Sequence, residues 1–272
     1  SICNGICISL ENISIAAFAL LGADFMAVAY GKIVFSLAWL VLFSFAPTKS
    51  FGFGFNLEIL KKLLRTSGQI FSSEFLKSLR LHADTFIAGK LMSPEIFGLY
   101  GFAKNAGVGL SQSISNVFNS ALFPFLCKLE RSATLHKHQQ MIYLISAGVG
   151  LIFVAQALLV PVYVPIIFDE KWHGVMPIVS IMCLAALPAV VVDTYCSFER
   201  AKAYFNHEIA ARFVCLMITL FLLFVSQPDQ PIDFAMMMLI SSIIGCLSVY
   251  PLSVLLAKIN SGFLFFQSEK NA

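Results

Sequence analysis

Charge is what this sequence has least of. Of its 272 residues only 12% are Asp, Glu, Lys or Arg, against 58% hydrophobic, and the mean hydropathy is +0.84. An ordinary soluble domain carries about 25% charged residues. Half that share excludes a soluble globular fold, a disordered chain and a nucleic-acid-binding protein, and it leaves the lipid bilayer as the solvent. The net charge of +3 is too small to argue for an anionic partner by itself. No GxxxxGK[ST] loop is present, so no ATPase is built in, and HExxH, GxSxG and paired-cysteine redox motifs are missing as well. No stretch is polar enough to form an aqueous catalytic domain. The expectation is a non-enzyme with no cofactor and no metal site. The cysteines (Cys3, Cys7, Cys127, Cys183, Cys196, Cys215 and Cys246) lie mostly in apolar runs without a nearby His at zinc spacing. They read as small buried hydrophobes. The chain opens Ser1-Ile2-Cys3, with neither an initiator Met nor a basic segment ahead of the first apolar run. That speaks against a signal peptide and for a piece of a longer chain.

What the sequence has in quantity is apolar runs near the length of about 20 residues that a span needs. They predict an all-α polytopic membrane protein of about eight transmembrane helices, over 2–21, 24–46, 67–91, 95–126, 139–164, 175–198, 207–226 and 232–256. Gly22, Pro47 to Gly54, Ser93-Pro94, the group Pro161, Pro165 and Gly174, and the pair Pro228 and Pro231 supply the breaks. Between the second and third spans, Leu57, Leu60, Leu63 and Leu64 recur at helical spacing while Lys61, Lys62 and Arg65 fall elsewhere. This predicts an amphipathic helix lying in the headgroup layer, started by Asn56; the other reading is an extension of the next span.

Cationic residues alternate between connections. Lys49, Lys61, Lys62 and Arg65, then Lys128, Arg131 and Lys137, then Arg200, Lys202 and Arg212, and finally Lys258 and Lys270 fall on one side. The opposite connections hold little beyond Lys90 and Lys171. The positive-inside rule then puts both termini in the cytoplasm. Trp39 and Trp172 suit anchoring at the interfaces.

The span 67–91 is not an ordinary anchor. It contains Gln69, Ser73, Glu74, Lys77, Arg80, His82 and Asp84. Four charges cost on the order of 10 kcal/mol on the insertion scale, and its roughly nine large apolar residues return about 4. Such a helix must face protein or a water-filled cavity. At 100° per residue Gln69, Ser73, Lys77, Arg80 and Asp84 fall within about 80° of one another, and Phe75, Leu79, Ala83 and Phe86 gather opposite. Arg80 with Asp84 and Glu74 with Lys77 are spaced to pair within the helix. Two readings stay open. The stripe is the wall of a hydrophilic pathway, with Lys77, Arg80, Gln69 and Ser73 contacting an anionic group and Glu74 and Asp84 balancing charge or taking a coupling ion. Alternatively, it is a set of internal ion pairs holding helices together. The length of the stripe favours the first. Asn105, Gln112, Asn116 and Asn119 share roughly one face of the next span and could line the same cavity, or serve as interhelical hydrogen bonds. Asp193 is either a cavity carboxylate or a structural one, and Asp24 is spaced to pair with Lys32.

Three runs carry a resemblance. They are Asp84-Thr85-Phe86-Ile87-Ala88-Gly89 with Gly98-Leu99-Tyr100, then Leu122-Phe123-Pro124-Phe125-Leu126, then Phe168-Asp169-Glu170-Lys171-Trp172 with Pro177. In this order and placement the chain resembles the polysaccharide-transporter family, the Wzx-type oligosaccharide flippases of the MOP exporter superfamily, and within it the colanic-acid-exporter type. That family usually has Gly where this chain has Asp169. The resemblance implies two six-helix lobes around a central cavity. Residues 1–46 would be the last two helices of the N-terminal lobe, 47–66 a cytoplasmic amphipathic connection, 67–258 the C-terminal six-helix lobe and 259–272 a cytoplasmic tail. It implies flipping of an undecaprenyl-diphosphate-linked oligosaccharide across the bacterial inner membrane in lipopolysaccharide or exopolysaccharide biosynthesis. Membrane lipids, a polysaccharide polymerase and assembly proteins would be partners, and nucleic acid would not. The alternatives are a cation-coupled drug exporter of the same superfamily, a membrane-bound polymerase or ligase of the sugar pathway, and a structural scaffold. The topology has a direct check. Lys171→Cys should react with an impermeant thiol reagent from the periplasmic face and Lys61→Cys from the cytoplasmic face; the reverse pattern would overturn it.

Overall fold

A computed structural model describes residues 2–23, 26–45, 56–132, 134–168 and 170–270 of the chain. Among these residues there is no strand, and the protein is an all-α polytopic membrane protein. Four helical stretches, Lys137–Ile167, Trp172–Ala201, Phe205–Ser226 and Pro231–Val249, are long and apolar enough to cross a membrane. The chain divides into two compact units, Ser1–Leu57 and Glu58–Ala272.

The first unit is a helical hairpin of α1 (Ile2–Leu20) and α2 (Met26–Phe45). The two helices approach so closely at Gly31 that a Cβ there would sit 2.3 Å from the Ile15 side chain. Glu11 on α1 pairs with Lys32 on α2 at 2.5 Å. Lys32 therefore has a partner other than the expected Asp24, which lies outside the described residues, as do residues 46–55 of the connection that follows.

The second unit begins with α3 (Leu57–Leu91). Residues 57–66 are its opening turns, so the separate interfacial helix expected there is not formed. Nothing between Glu58 and Arg65 breaks the helical ladder, and Leu, Glu, Lys and Arg are all good helix formers. Ser93 caps the next helix by accepting a hydrogen bond from the Ile96 amide, with Pro94 at the first helical position. That helix runs as α4 (Pro94–Lys104), a π-helical turn (Asn105–Gly109) and α5 (Leu110–Arg131). It is followed by α6 (Leu135–Ile167), a 3-10 segment (Glu170–Val175), α7 (Met176–Ala201), α8 (Phe205–Ser226) and α9 (Pro231–Lys270). Pro161 and Pro165, expected to mark a loop, lie inside α6. A proline removes one ladder bond, and helix within a packed, lipid-facing segment tolerates that loss.

The centre of this unit is α7, which packs along α6, α9, α5 and α8. Val179, Met182 and Cys183 on α7 join Tyr100, Ala103, Val160 and Phe234 in the main core cluster. The π turn meets α7 at Gly107, where a Cβ would lie 2.9 Å from both the Met182 Cβ and the Val179 carbonyl oxygen. Only glycine permits that approach. Gly107 also leaves its carbonyl to accept from the Ser111 hydroxyl at 3.0 Å and from the Gln156 amide at 3.4 Å.

The α7–α8 hairpin closes in a Schellman turn. The Tyr204 amide donates to the Glu199 carbonyl at 2.8 Å and the Ala203 amide to the Arg200 carbonyl at 3.0 Å. Ala203 occupies the left-handed position, φ 60°, that glycine fills without steric penalty. Ala203→Gly should therefore stabilise the protein by about 1 kcal/mol, read as a higher unfolding midpoint in detergent. A lower midpoint would contradict the turn assignment.

Candidate functional site

The second unit contains a cavity bounded by α3, the π turn with α5, α7, α8 and α9, its lining mostly apolar but set with a cluster of charged and polar groups. Three alanines of α7, Ala185, Ala186 and Ala189, line one side and leave the space that larger side chains would fill. Counted with its open mouth, the void is about 660 Å³. The charged groups on its wall are Lys77 and Arg80 from α3, Asp193 from α7 and Arg212 from α8.

Asp193 organises these charges. Its carboxylate accepts from Lys77 Nζ at 2.9 Å and from Arg212 Nη1 at 2.5 Å. Arg80 has no carboxylate partner among the described residues. It donates through Nε to the Thr219 hydroxyl at 3.3 Å and through Nη2 to the Ser242 hydroxyl at 2.8 Å. The buried Nε of Arg212 has no hydrogen-bond acceptor. Three cations against one carboxylate leave the wall with a surplus of two positive charges. Ser111, Gln112 and Ser115 add polar groups from α5.

The other residues of the α3 stripe go elsewhere. Ser73 is buried and donates to Glu208 Oε1 at 2.5 Å. Glu74 is half-exposed and pairs with Arg200 at 2.6 Å. Arg200 also grips the fully buried Glu208 with both Nε and Nη2. Asp84, fully buried, pairs with Lys104 Nζ at 2.6 Å and accepts from the Tyr100 hydroxyl. Lys104 spends its remaining donors on the Leu81 carbonyl at 2.6 Å and the Thr85 hydroxyl at 2.7 Å. Asp84 is thus a clamp between α3 and α4. Gln69 is half-buried and does not reach the cavity.

Three expectations need correcting. The pairs Arg80–Asp84 and Glu74–Lys77 do not form, because each of these side chains finds a closer partner on another helix. Asn105 is exposed and Asn116 accepts from Gln112 Nε2 at 3.0 Å outside the lining. Asn119 bonds the Ser115 carbonyl at 2.9 Å. The π turn advances the ladder by one residue, about 100°, so Asn105 no longer shares the face of Gln112. Ala83, expected on the lipid side, is 4% exposed and belongs to the main core.

A family model described as polysaccharide biosynthesis protein matches residues 5–177. The chain belongs to that family. Among curated proteins it is 25% identical over 184 residues to the lipopolysaccharide biosynthesis protein WzxC of Escherichia coli K12, covering 65% of this chain and 37% of that protein. It is also 25% identical over 174 residues to an uncharacterized membrane protein in the cps region of Klebsiella pneumoniae, covering 61% of this chain and 34% of that one. The chain spans about a third of the length of these relatives. No solved structure matches.

Several groups in this polysaccharide-biosynthesis protein escaped the sequence reading. Arg212, counted there as a connection charge, is 6% exposed and faces the cavity. A cation several residues inside a predicted span was the available signal. Thr219, Ser242 and Glu208 gave none, since a single polar residue in an apolar run does not reveal which helix it faces. The clamp and the cavity can be told apart by stability. Lys104→Met strands a buried carboxylate and should destabilise the protein by about 3–5 kcal/mol, whereas the double variant Asp84→Leu/Lys104→Met should lose much less. Thermal unfolding of the purified variants checks this, and equal loss in both would remove the clamp.

Proposed function

We propose that the protein of which this chain is part translocates an undecaprenyl-diphosphate-linked oligosaccharide from the cytoplasmic to the periplasmic leaflet of the bacterial inner membrane. Membership of the polysaccharide biosynthesis family supports a role in that biosynthesis. The observation that carries the finer reading is the charge on the cavity wall, where Lys77, Arg80 and Arg212 face the single carboxylate of Asp193. A diphosphate diester carries two negative charges, which matches the surplus of two. Arg80 and Arg212 keep guanidinium donors for its oxygens, and guanidinium binds phosphate in a planar fork while Lys77 acts as a point charge. Ser111, Gln112 and Ser115 supply hydroxyl and amide groups suited to a sugar.

Transport in this reading is alternating access, with the headgroup crossing in the cavity and the lipid tail remaining in the bilayer. The reading needs no reaction at the cavity, so the protein acts as a transporter rather than an enzyme. The bias of Lys and Arg toward alternate connections supports cytoplasmic termini for this chain. A cation-coupled drug exporter would require an acidic surplus, the opposite of this wall.

In the full-length protein, Lys77→Ala and Arg80→Ala should each lower oligosaccharide export at least tenfold, the effect of deleting a charge-assisted hydrogen bond worth about 1.5–3 kcal/mol. Export is read as surface polysaccharide in cells lacking the chromosomal copy. Undiminished export in the double variant, at normal protein level, would remove the cavity from the mechanism.

A further inference from the structure

The two ends of α3 are held by different means. Toward its C-terminal end Ala83, Asp84 and Ala88 are buried, and both alanines belong to the main core cluster. The Asp84–Lys104 pair there is exclusive, because every donor of Lys104 is used on α3. Over residues 67–81, by contrast, only Ser73 is buried, and Phe71 and Phe75 are exposed. Among the described residues no neighbouring helix packs closely along the α3 backbone at either end, so side chains alone hold it. What joins 67–81 to the rest of the unit is a short series of side-chain bridges: Ser73 to Glu208, Glu74 to Arg200, Lys77 to Asp193 and Arg80 to Thr219 on the α7–α8 hairpin, with Arg80 also bonded to Ser242 of α9.

Each hairpin charge at the far end of these bridges has a second partner within the hairpin itself. Glu208 keeps Arg200, Asp193 keeps Arg212, and the Thr219 hydroxyl still donates to the Cys215 carbonyl. Withdrawing 67–81 therefore strands no buried charge on α7 or α8. The charges it frees are Glu74, already half-exposed, and Lys77 and Arg80, which line an open cavity where water or an anion can solvate them. Withdrawing the 83–88 segment would strand Lys104 at once.

We propose that residues 67–81 are an arm that swings away from the α7–α8 hairpin about a pivot at residues 83–88, opening the cavity between α3 and α8. The motion belongs to this unit alone and does not depend on the cargo.

Ser72 lies about 18 Å along the helix from Asp84 at 1.5 Å per residue, so a tilt of roughly 20° moves it by about 6 Å. Pulsed electron-resonance distances in the full chain, in lipid nanodiscs, can read this. The spin labels are attached through ketone-bearing residues so that native cysteines are spared. One pair is placed at 72 and 204, and a reference pair at 90 and 204. The 72–204 pair should show a second, longer distance. Ser73→Ala/Glu74→Gln should raise its population about 5-fold, the scale of one half-exposed ion pair and one hydrogen bond. Raising the salt from 0.05 to 1 M, which screens the exposed pair, should shift the unmutated arm the same way. The 90–204 distance should stay single. One narrow 72–204 distance, unmoved by variant and by salt, would overturn the arm, and equal movement of both pairs would overturn the pivot. Neither result touches the transport assay, so loss of this inference and loss of the proposed function are separate outcomes.

Discussion

An ionised group inside a bilayer-thick helical body is tolerable only if it is paired or wet, and the second unit is arranged around that constraint. Asp193 is its centre. The carboxylate comes from α7, the most enclosed helix, and draws Lys77 from one neighbour and Arg212 from another. Arg200 and Glu208 repeat the arrangement further along the same hairpin. With Asp193 and Glu208 neutralised by arginines of their own hairpin, the cationic surplus falls on α3, and the cavity exists where that surplus faces the alanine side of α7. The fold and the charge of the site are one arrangement.

The sequence made the elements legible and their partners illegible. Apolar runs between Gly and Pro breaks located α1, α2, α6 to α8 and the start of α9 to within a few residues, because run length and hydropathy are local properties; α9 itself continues to Lys270, well past the expected end at 256. The polar stripe of α3 was equally plain, and its failure to suit lipid followed from arithmetic on its own residues. Helical spacing offers each charge on α3 a partner three or four positions away, so local pairing was the natural expectation. The observed partners are 16 to 162 residues distant, and no periodicity encodes them. Arg212 shows the same limit from the other side. In a row of letters, a cation near the start of an apolar run looks like a connection charge, and only the packing of α8 against α7 turns it inward. Asn105 was misplaced because a π turn has no sequence signature comparable to a cap or a proline.

The ion pairs also differ in how much of the molecule depends on each. Asp84 with Lys104 is closed on itself, and either group alone would be a buried charge with no substitute. The bridges from residues 67–81 are shared and leave complete pairs behind them. The two kinds lie within one helix, so its halves experience different restoring forces. The chain covers about a third of the length of its curated relatives, yet one face of the cavity and its charge are already complete within Glu58–Ala272.

The π turn at Asn105–Gly109 also decides which face of α5 meets the cavity. It is a single-residue insertion absorbed without ending the helix. Deleting one residue there would restore an unbroken ladder and rotate α5 relative to α4 by about 100°. Ser111, Gln112 and Ser115 would leave the cavity and others would take their places, with α3, α7, α8 and their charges undisturbed. The α5 wall of the cavity can thus be re-faced by one codon gained or lost, while the cationic wall keeps its chemistry.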